Sequence, residues 1–414
     1  MLTKASLKTP SAPRNTMGFI GRVLLSLLIA TGVVLGYKTW QRDREAKHTA
    51  NALNADGSAN SGVTGGANSS ATGTGATSST NGSTSGSTAG SVPSAPLPPG
   101  AWAAKFDANQ AYAYTEKQVS FGPRVPGTDA HKKTGDYLIQ TLKSFGAQVL
   151  EQPFSAPVYA GVKKGDDVSK AEPIASRNII ASFSPENPHR VLLAAHWDTR
   201  AAADKDLGDS VHPADGANDG ASGVAVLLEI GRTLAQNAKS LPVGVDFILF
   251  DNEDQGVMGN PAGIADPGAT WCSGSQYWAK NPHAAGYRAD WGILLDMVGA
   301  KGSSFPREMN SLVYAATPLT KVWETARKLG HGQYFTDLEA PGIVDDHVFM
   351  NRAGIPTLDI IDMDANGASL FREYHHTRAD SMKIIDKDVL RAVGQTVLES
   401  LAVVGASAPS QSAR

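Results

Sequence analysis

The segment "FILFDNEDQG", residues 247–256, joins a run of apolar residues to a cluster of acids. The apolar run leads directly into Asp251, Glu253 and Asp254. Neighbouring carboxylates repel one another and lose hydration on burial, so a strand seldom ends in three of them without a compensating charge. The segment indicates a bound cation or a proton-transfer site. A solvated acidic loop is the alternative if the acids are considered alone.

Three further segments carry residue types that bind metals or move protons. "HWDTR" places His196 and Asp198 two residues apart after an apolar run, on one side of an extended chain. "DGANDGASG" places Asp219 in a glycine-rich turn before a helix, where capping of the helix is the alternative role. "YHHTRADS" contributes His375 and His376, which in isolation are typical of a polar surface loop.

Together these segments indicate a divalent metal. Catalytic zinc has three protein ligands and one open position, and Asp219, Asp254 and an imidazole from the pair His375 and His376 would be such a set. Cys272 is the only cysteine, so the chain can form neither an intrachain disulfide nor a cysteine-based zinc site. Glu253 precedes one of these ligands and is placed to act as a general base and acid.

Short apolar strands alternate with helices around these residues, which predicts an α/β fold with a largely parallel sheet. The predicted strands are 178–183 and 191–198, expected to be adjacent, and 245–250, 291–296 and 355–361. The predicted helices are 135–146, 222–236, 346–354 and 386–404. Ligands of open α/β sheets bind beyond the carboxyl ends of the strands. His196, the acids at 251–254 and Asp296 all follow strands, and they meet if those strands are neighbours.

The first hundred residues differ in composition from the rest. Residues 18–37 are uncharged apart from Arg22 and mostly apolar, and their number is close to the roughly 20 residues of a membrane helix. A cleaved signal peptide is the alternative, but no small-x-small site directly follows, which favours an uncleaved anchor. Residues 38–100, rich in Ser, Gly, Thr and Pro, are expected to be a disordered tether. Residues 1–17 would be cytoplasmic, 101–406 a catalytic zinc domain and 407–414 a disordered tail.

The motifs together resemble the zinc aminopeptidase-like superfamily and, within it, the bacterial glutaminyl-peptide cyclotransferases, or glutaminyl cyclases. The matching segments run through most of the folded part: "FGPRVPGTDAH", "AAHWDTR", "GANDGASGVAVLLE", "LFDNEDQG", "LLDMVGA", "VDDHVFMNRAGIP" and "HHTRADS". The segment "WCSGSQYWAKNP" and the doubled acid of "VDDH" indicate the cyclases in particular. The resemblance implies a three-layer α/β fold, with helices flanking a central mixed, mostly parallel sheet.

The resemblance also implies an activity: cyclisation of an N-terminal glutamine to pyroglutamate, with release of ammonia. The implied ligands of a single zinc ion are Asp219, Asp254 and His376. Glu253 would be the catalytic acid and base. Asp296 and Asp345 would form a hydrogen-bonded carboxylate pair beside the zinc. These roles come from the family pattern.

Trp271 and His375 would bind substrate, Trp271 as an aromatic wall of the pocket. The sequence departs from the animal cyclases at two of the implied positions. Asp254 stands where they usually have glutamate, and His375 stands where they have tryptophan. The second departure removes one stacking contact with the substrate.

A di-zinc aminopeptidase that hydrolyses N-terminal residues is the alternative enzyme. A second zinc would then bind His196 and Asp296, and Glu253 would act as base to a bridging water. Asp345 favours the cyclase, because aminopeptidases usually have a small hydroxyl residue there. A non-catalytic, membrane-tethered binding module would need lost ligands or a lost base, and all are intact.

The expected partners follow from these assignments. Substrates would be peptides or proteins with an N-terminal glutamine, and the chain would be a monomer. A formal net charge of −3, without a long basic block, argues against a nucleic-acid partner. The anchor would make this a single-pass protein of the inner, or cytoplasmic, membrane, with its catalytic domain on the periplasmic or extracellular side.

Overall fold

The computed structural model describes residues 100–162, 168, 171–206, 212–237, 241–259, 264–367 and 369–405. All of these belong to one compact unit, Gly90–Arg414, and none belongs to the other, Met1–Ala89. The expected cytoplasmic segment 1–17, anchor 18–37, tether up to residue 99 and tail 407–414 lie outside the described residues. None of the helices in these ranges has both the length and the apolar character needed to cross a membrane.

A mixed sheet lies at the centre of the described chain. The strands are β1 (Gln148–Pro157), β2 (Pro173–Phe183), β3 (Arg190–His196), β4 (Gly244–Phe250), β5 (Trp291–Asp296), β6 (Phe305–Glu308), β7 (Phe335–Ala340) and β8 (Thr357–Ile361). The order in the central sheet is β1-β2-β4-β3-β5-β8, while β6 and β7 pair separately. β2 runs antiparallel to both β1 and β4, whereas β4, β3, β5 and β8 are parallel to one another.

Helices cover both faces of this sheet. They are α1 (Ala108–Val119), α2 (Asp129–Ser144), α3 (Ala221–Asn237), α4 (Ser273–Lys280), α5 (Met309–Tyr314), α6 (Ala316–Lys328), α7 (Asp346–Arg352) and α8 (Lys387–Gly405). Leu193 of β3 belongs to a buried cluster with α1, α2, α3, α6 and α8. Its neighbour Leu192 belongs to a second cluster with Trp278 of α4 and Met350 of α7. Successive strand residues point to opposite faces, so the fold has three layers, as predicted.

Burial explains why the central strands form where they do. Every residue of β4 and of β5 is buried, as expected for parallel strands with helices on both faces. Helix α3 packs closely on this sheet because of Gly223, where an added Cβ would lie 2.3 Å from the carbonyl oxygen of Leu295. The sheet and α3 therefore form one rigid base beneath the strand ends.

Each predicted strand and helix is present in the structure, but one predicted pair of neighbouring strands is not adjacent and several elements were not predicted. The strands predicted at 178–183, 191–198, 245–250, 291–296 and 355–361 correspond to β2, β3, β4, β5 and β8, and the four predicted helices to α2, α3, α7 and α8. The prediction that the first two strands are adjacent was wrong, because β4 lies between β2 and β3. Strands β1, β6 and β7 and helices α1, α4, α5 and α6 were not predicted.

Candidate metal centre and active-site cavity

The carboxyl ends of β4, β3 and β5 are neighbours, and the polar residues that follow them meet at one edge of the sheet. They contribute to a cavity of about 380 Å³. Eight of the nine residues to which the sequence assigned a zinc, catalytic or substrate-binding role line this cavity: Asp219, Glu253, Asp254, Trp271, Asp296, Asp345, His375 and His376. The ninth, His196, is not among the lining residues but contacts Asp219 and Asp296. The fold therefore brings together residues that are up to 157 positions apart, from Asp219 to His376.

The three implied zinc ligands converge within this cavity. Asp254 Oδ1 lies 2.8 Å from His376 Nε2, and Asp219 Oδ2 lies 3.9 Å from the same nitrogen. Asp254 Oδ1 and His376 Nδ1 are buried and have no hydrogen-bond partner. Asp254 Oδ1 and His376 Nε2 are thus close without a hydrogen bond, which is the arrangement of two ligands that face a shared cation.

The protonation tendencies of these residues also fit a metal. Burial, followed by the charge of Arg200, lowers the pKa of His376 well below its usual value, so its imidazole is neutral, the form that binds metals. Burial and then the charge of Asp219 raise the pKa of Asp254 well above its usual value. A divalent cation between them would relieve the cost of burying these carboxylates. One neutral imidazole and two carboxylates form a donor set suited to zinc.

His196 lies beside this set, in a second group of metal-ligand type. Its Nε2 is 3.1 Å from Asp219 Oδ1 and 3.1 Å from Asp296 Oδ1. Burial alone would lower its pKa, but hydrogen bonds with the surrounding carboxylates raise it well above its usual value. His196 and Asp296 are the predicted second-metal positions, and together with Asp219 they offer donor groups for a second ion.

Glu253 projects into the cavity from the loop after β4. Its carboxyl accepts a hydrogen bond from Cys272 Sγ at 3.2 Å, and its Oε2 lies 4.0 Å from His196 Nδ1. Burial raises its pKa well above the usual value, and the charges of nearby carboxylates add to the effect. A carboxyl group whose pKa is raised in this way is suited to exchange protons near neutral pH.

Asp296 and Asp345 differ from the expected hydrogen-bonded pair. Asp296 contacts His196, whereas Asp345 Oδ1 accepts the backbone N–H of Asp346 at 2.5 Å. The two acids still influence each other: burial raises the pKa of Asp296 to about 7, and the charge of Asp345 contributes to that shift.

Aromatic side chains form the cavity wall near the histidines. Trp271 stacks on His376, with ring centroids 5.6 Å apart and an interplanar angle of 8°. Gly256 makes room for the indole, because an added Cβ there would lie 2.1 Å from the Trp271 ring. His375 contacts Phe371, whose ring centroid is 4.3 Å away. Phe371 was missed by sequence reasoning, although an aromatic residue near a histidine pair is a usable signal.

Three residues that hold the acids in place were also missed. The carboxylate of Asp380 accepts the backbone N–H groups of Asn218 and Asp219 at 2.7 and 3.0 Å. The buried guanidinium of Arg124 donates to the carbonyl oxygen of Gly216 at 2.6 Å, in the same turn. Asp198, which the sequence singled out with His196 but not as a support for this loop, accepts hydrogen bonds from the loop that carries Glu253. All three lie in segments that the sequence singled out, but their partners are distant in sequence.

Comparison with known proteins identifies a matching family and several relatives. A family model described as "Peptidase family M28" matches residues 178–401. The structure of Porphyromonas gingivalis glutaminyl cyclase is 46% identical in sequence, with a TM-score of 0.65, and the match covers 72% of this chain and 98% of that one.

Two curated relatives represent both kinds of enzyme. Aminopeptidase YwaD of Bacillus subtilis (strain 168) is 30% identical over 231 residues, which covers 54% of this chain and 43% of YwaD. The glutaminyl-peptide cyclotransferase of Bos taurus is 27% identical over 240 residues, covering 51% of this chain and 62% of that protein. The chain thus spans less than two thirds of the length of either relative.

Proposed function

The chain belongs to peptidase family M28, and from this we propose that it is a zinc-dependent glutaminyl cyclase. It would convert the N-terminal glutamine of a peptide or protein to pyroglutamate and release ammonia. The observation that carries the proposal is the presence of Asp345 in the cavity, together with Glu253 and Asp296 around the zinc-type donor set. The similarity to bacterial glutaminyl cyclases supports it.

Asp219, Asp254 and His376 would hold the zinc ion. Bound there, zinc supplies a Lewis acid that polarises the γ-carbonyl of the substrate glutamine. Glu253 takes a proton from the substrate's α-amine, whose nitrogen then attacks the γ-carbon. The carboxyl of Glu253 returns this proton to the departing amide nitrogen, so that the carbon–nitrogen bond breaks and ammonia leaves.

The other cavity residues would orient the substrate. The carboxyl groups of Asp296 and Asp345 accept hydrogen bonds from the amide nitrogen as it becomes ammonia. Trp271 lies against the aliphatic part of the glutamine side chain and excludes water from it. Both roles require close positioning, and positioning of this kind supplies a large share of the rate enhancement in enzymes.

The test is the product formed from a glutaminyl peptide. Mass spectrometry should show a product that has lost one ammonia and gained no water, with the peptide chain intact. A product that has lost its N-terminal residue would instead identify a peptidase.

An aminopeptidase is the second candidate, and one observation favours it. His196, Asp219 and Asp296 offer ligand atoms within 4.8 Å of one another, which is the donor set of a second metal. The similarity to aminopeptidase YwaD is in line with this alternative. It would use the same Glu253 as base to a water molecule, so the reaction products and the number of bound ions separate the two enzymes.

We also propose that residues 18–37 anchor the protein in the cytoplasmic membrane, with the catalytic domain on the outer side. The support is the apolar composition of this segment and the polar tether that follows it. A reporter fused after residue 414 should be active only outside the cytoplasm. Activity confined to the cytoplasm would contradict the proposal.

A further inference from the structure

Lys205 is the one lysine or arginine among the described residues that line the active-site cavity. The same wall includes Phe371 and His375. The Lys205 ammonium donates to His375 Nδ1 at 2.5 Å and lies 5.5 Å from the centroid of the Phe371 ring. Its backbone N–H donates to the carbonyl oxygen of His376 at 3.2 Å. The lysine is therefore held at the cavity wall by both its backbone and its side chain.

The acids on either side of Lys205 are paired with other residues. Asp204 forms an ion pair with Arg200, with 2.5 Å between Nη2 and Oδ2. Asp206 forms an ion pair with Arg378, with 2.7 Å between Nε and Oδ2. Among the described residues, no carboxylate oxygen forms an ion pair with Lys205 within 4.0 Å. The Lys205 ammonium therefore contributes a positive charge to the cavity lining, where its hydrogen-bond partner is the imidazole of His375.

The part of the cavity lining formed by Met258 and Val344 is apolar, in contrast to Lys205. These two side chains are apolar and largely exposed, with 40% and 52% of their surface accessible. A peptide whose first residue occupies the cavity would place its next residues near the exposed part of the lining. Within that lining the apolar side chains of Met258 and Val344 and the Lys205 ammonium offer two different kinds of contact.

From this arrangement we propose that Lys205 forms an anion-binding subsite, which favours substrates with a negative charge just after the N-terminal residue. The charge would be an Asp or Glu side chain at the second position, or the terminal carboxylate of a short peptide. The inference rests on the proposed function for the identity of the first residue, glutamine. An ion pair at a partly exposed site changes selectivity by a modest factor, about three- to tenfold.

The test compares three peptide amides of identical length that begin with glutamine and carry Glu, Gln or Lys at position two. The ratio of kcat/KM for the Glu peptide to that for the Lys peptide should be about tenfold for the zinc-loaded wild type. Lys205→Met should bring this ratio close to one, mainly through KM, and Lys205→Arg should retain it. The control is Lys143, an exposed lysine at the end of α2 that does not line the cavity. Lys143→Met removes the same charge, and this variant should behave as wild type.

Two further measurements separate the subsite from the other possibilities. Zinc content is measured for each variant, because Lys205 contacts the loop that carries His376. Binding of the three peptides to Glu253→Gln, with and without Lys205→Met, is measured by calorimetry and does not require turnover.

Each outcome decides between the proposals. Tighter binding of the Glu peptide that depends on Lys205, without ammonia release by the wild type, would support the subsite and overturn the cyclase function. Ammonia release from all three peptides with equal efficiency would leave the function standing and overturn the subsite. A Lys205→Met variant that loses zinc and activity on all peptides equally would show that the lysine only supports the metal-binding loop, which also overturns the subsite.

Discussion

The backbone N–H of Glu253 donates a hydrogen bond to Asp198 Oδ1 over 3.1 Å, which ties the proposed catalytic acid and base to the end of β3. Asp198 Oδ2 also accepts from the backbone N–H of Asp254 at 3.3 Å and from Gln255 Nε2 at 3.0 Å. Asp198 is fully buried, so these bonds are shielded from water. One carboxylate therefore sets the orientation of both the proposed base and a proposed zinc ligand.

Asp198→Ala should destabilise the protein and slow catalysis. It leaves the backbone N–H groups of Glu253 and Asp254 buried without an acceptor. The Gln255 amide loses one acceptor but keeps the carbonyl oxygen of Thr199, so the expected cost is about 3 kcal/mol in the free energy of unfolding. Asp198→Asn keeps one acceptor oxygen and should lose less. Urea denaturation and kcat measurements test this, with the exposed Asp290→Ala as control. Unchanged stability of Asp198→Ala would contradict the anchoring role.

His376→Ala should remove zinc and activity together. The substitution deletes the nitrogen that lies 2.8 Å from Asp254 Oδ1. Only two carboxylate ligands then remain, whereas catalytic zinc is held by three protein ligands, so zinc should bind weakly. Mass spectrometry of the metal in the purified protein gives the zinc content per chain. His189→Ala, at an exposed histidine in the loop before β3, should retain full metal content. Full zinc occupancy in His376→Ala would show that the ligand assignment is wrong.

Gly256→Ala should weaken substrate binding through Trp271. The added Cβ would lie 2.1 Å from the indole ring, so the ring must move away from its position against His376. We expect KM to rise about tenfold while zinc content stays constant, since the loss of an aromatic contact costs about 1 kcal/mol or more. Gly332→Ala is the matched control, because its added Cβ would meet no atom closer than 3.4 Å. An unchanged KM for Gly256→Ala would argue against Trp271 as a pocket wall.

Asp345→Asn should lower kcat more than it raises KM. In the cyclase mechanism the carboxylate lies against the leaving ammonia, so the lost contact belongs mainly to the transition state, and we expect a loss of about 10- to 100-fold. Asparagine retains an oxygen that can accept from the N-terminal N–H of α7, so helix stability is preserved, whereas alanine also loses this cap. Asp337→Ala, at an exposed acid on β7, serves as a control. A mild effect on ammonia release would place Asp345 outside the reacting groups.

The elements that position the site could be predicted because their sequence signals are strong. β4 is apolar apart from Asp246 and β5 is apolar up to its final Asp296, in line with burial on both faces, and each strand leads into acids at its carboxyl end. The edge strand β1 was missed because most of its residues are partly or fully exposed and it contains Pro153, so neither an apolar run nor an alternating pattern is visible. Insertion of β4 between β2 and β3 is a matter of topology that local patterns do not encode.

The residues that support the site could not be predicted either, because local sequence patterns do not show which distant residues will meet. Asp380 and Asp219 are separated by 161 positions, yet the carboxylate of one fixes the backbone of the other. Arg124 reaches a turn 92 residues away. Such hydrogen bonds depend on the packed arrangement of the chain, whereas metal-ligand and acid/base residue types can be recognised from their chemistry alone.

The most direct test of the proposed function is ammonia release by the zinc-loaded wild-type protein. A glutaminyl peptide and a leucyl amide are assayed in parallel, with zinc counted in the same preparation. We predict rapid ammonia release from the glutaminyl peptide, negligible hydrolysis of the leucyl amide and one zinc ion per chain. Hydrolysis of the leucyl amide, no ammonia from the glutaminyl peptide and two zinc ions per chain would contradict the cyclase proposal and identify an aminopeptidase.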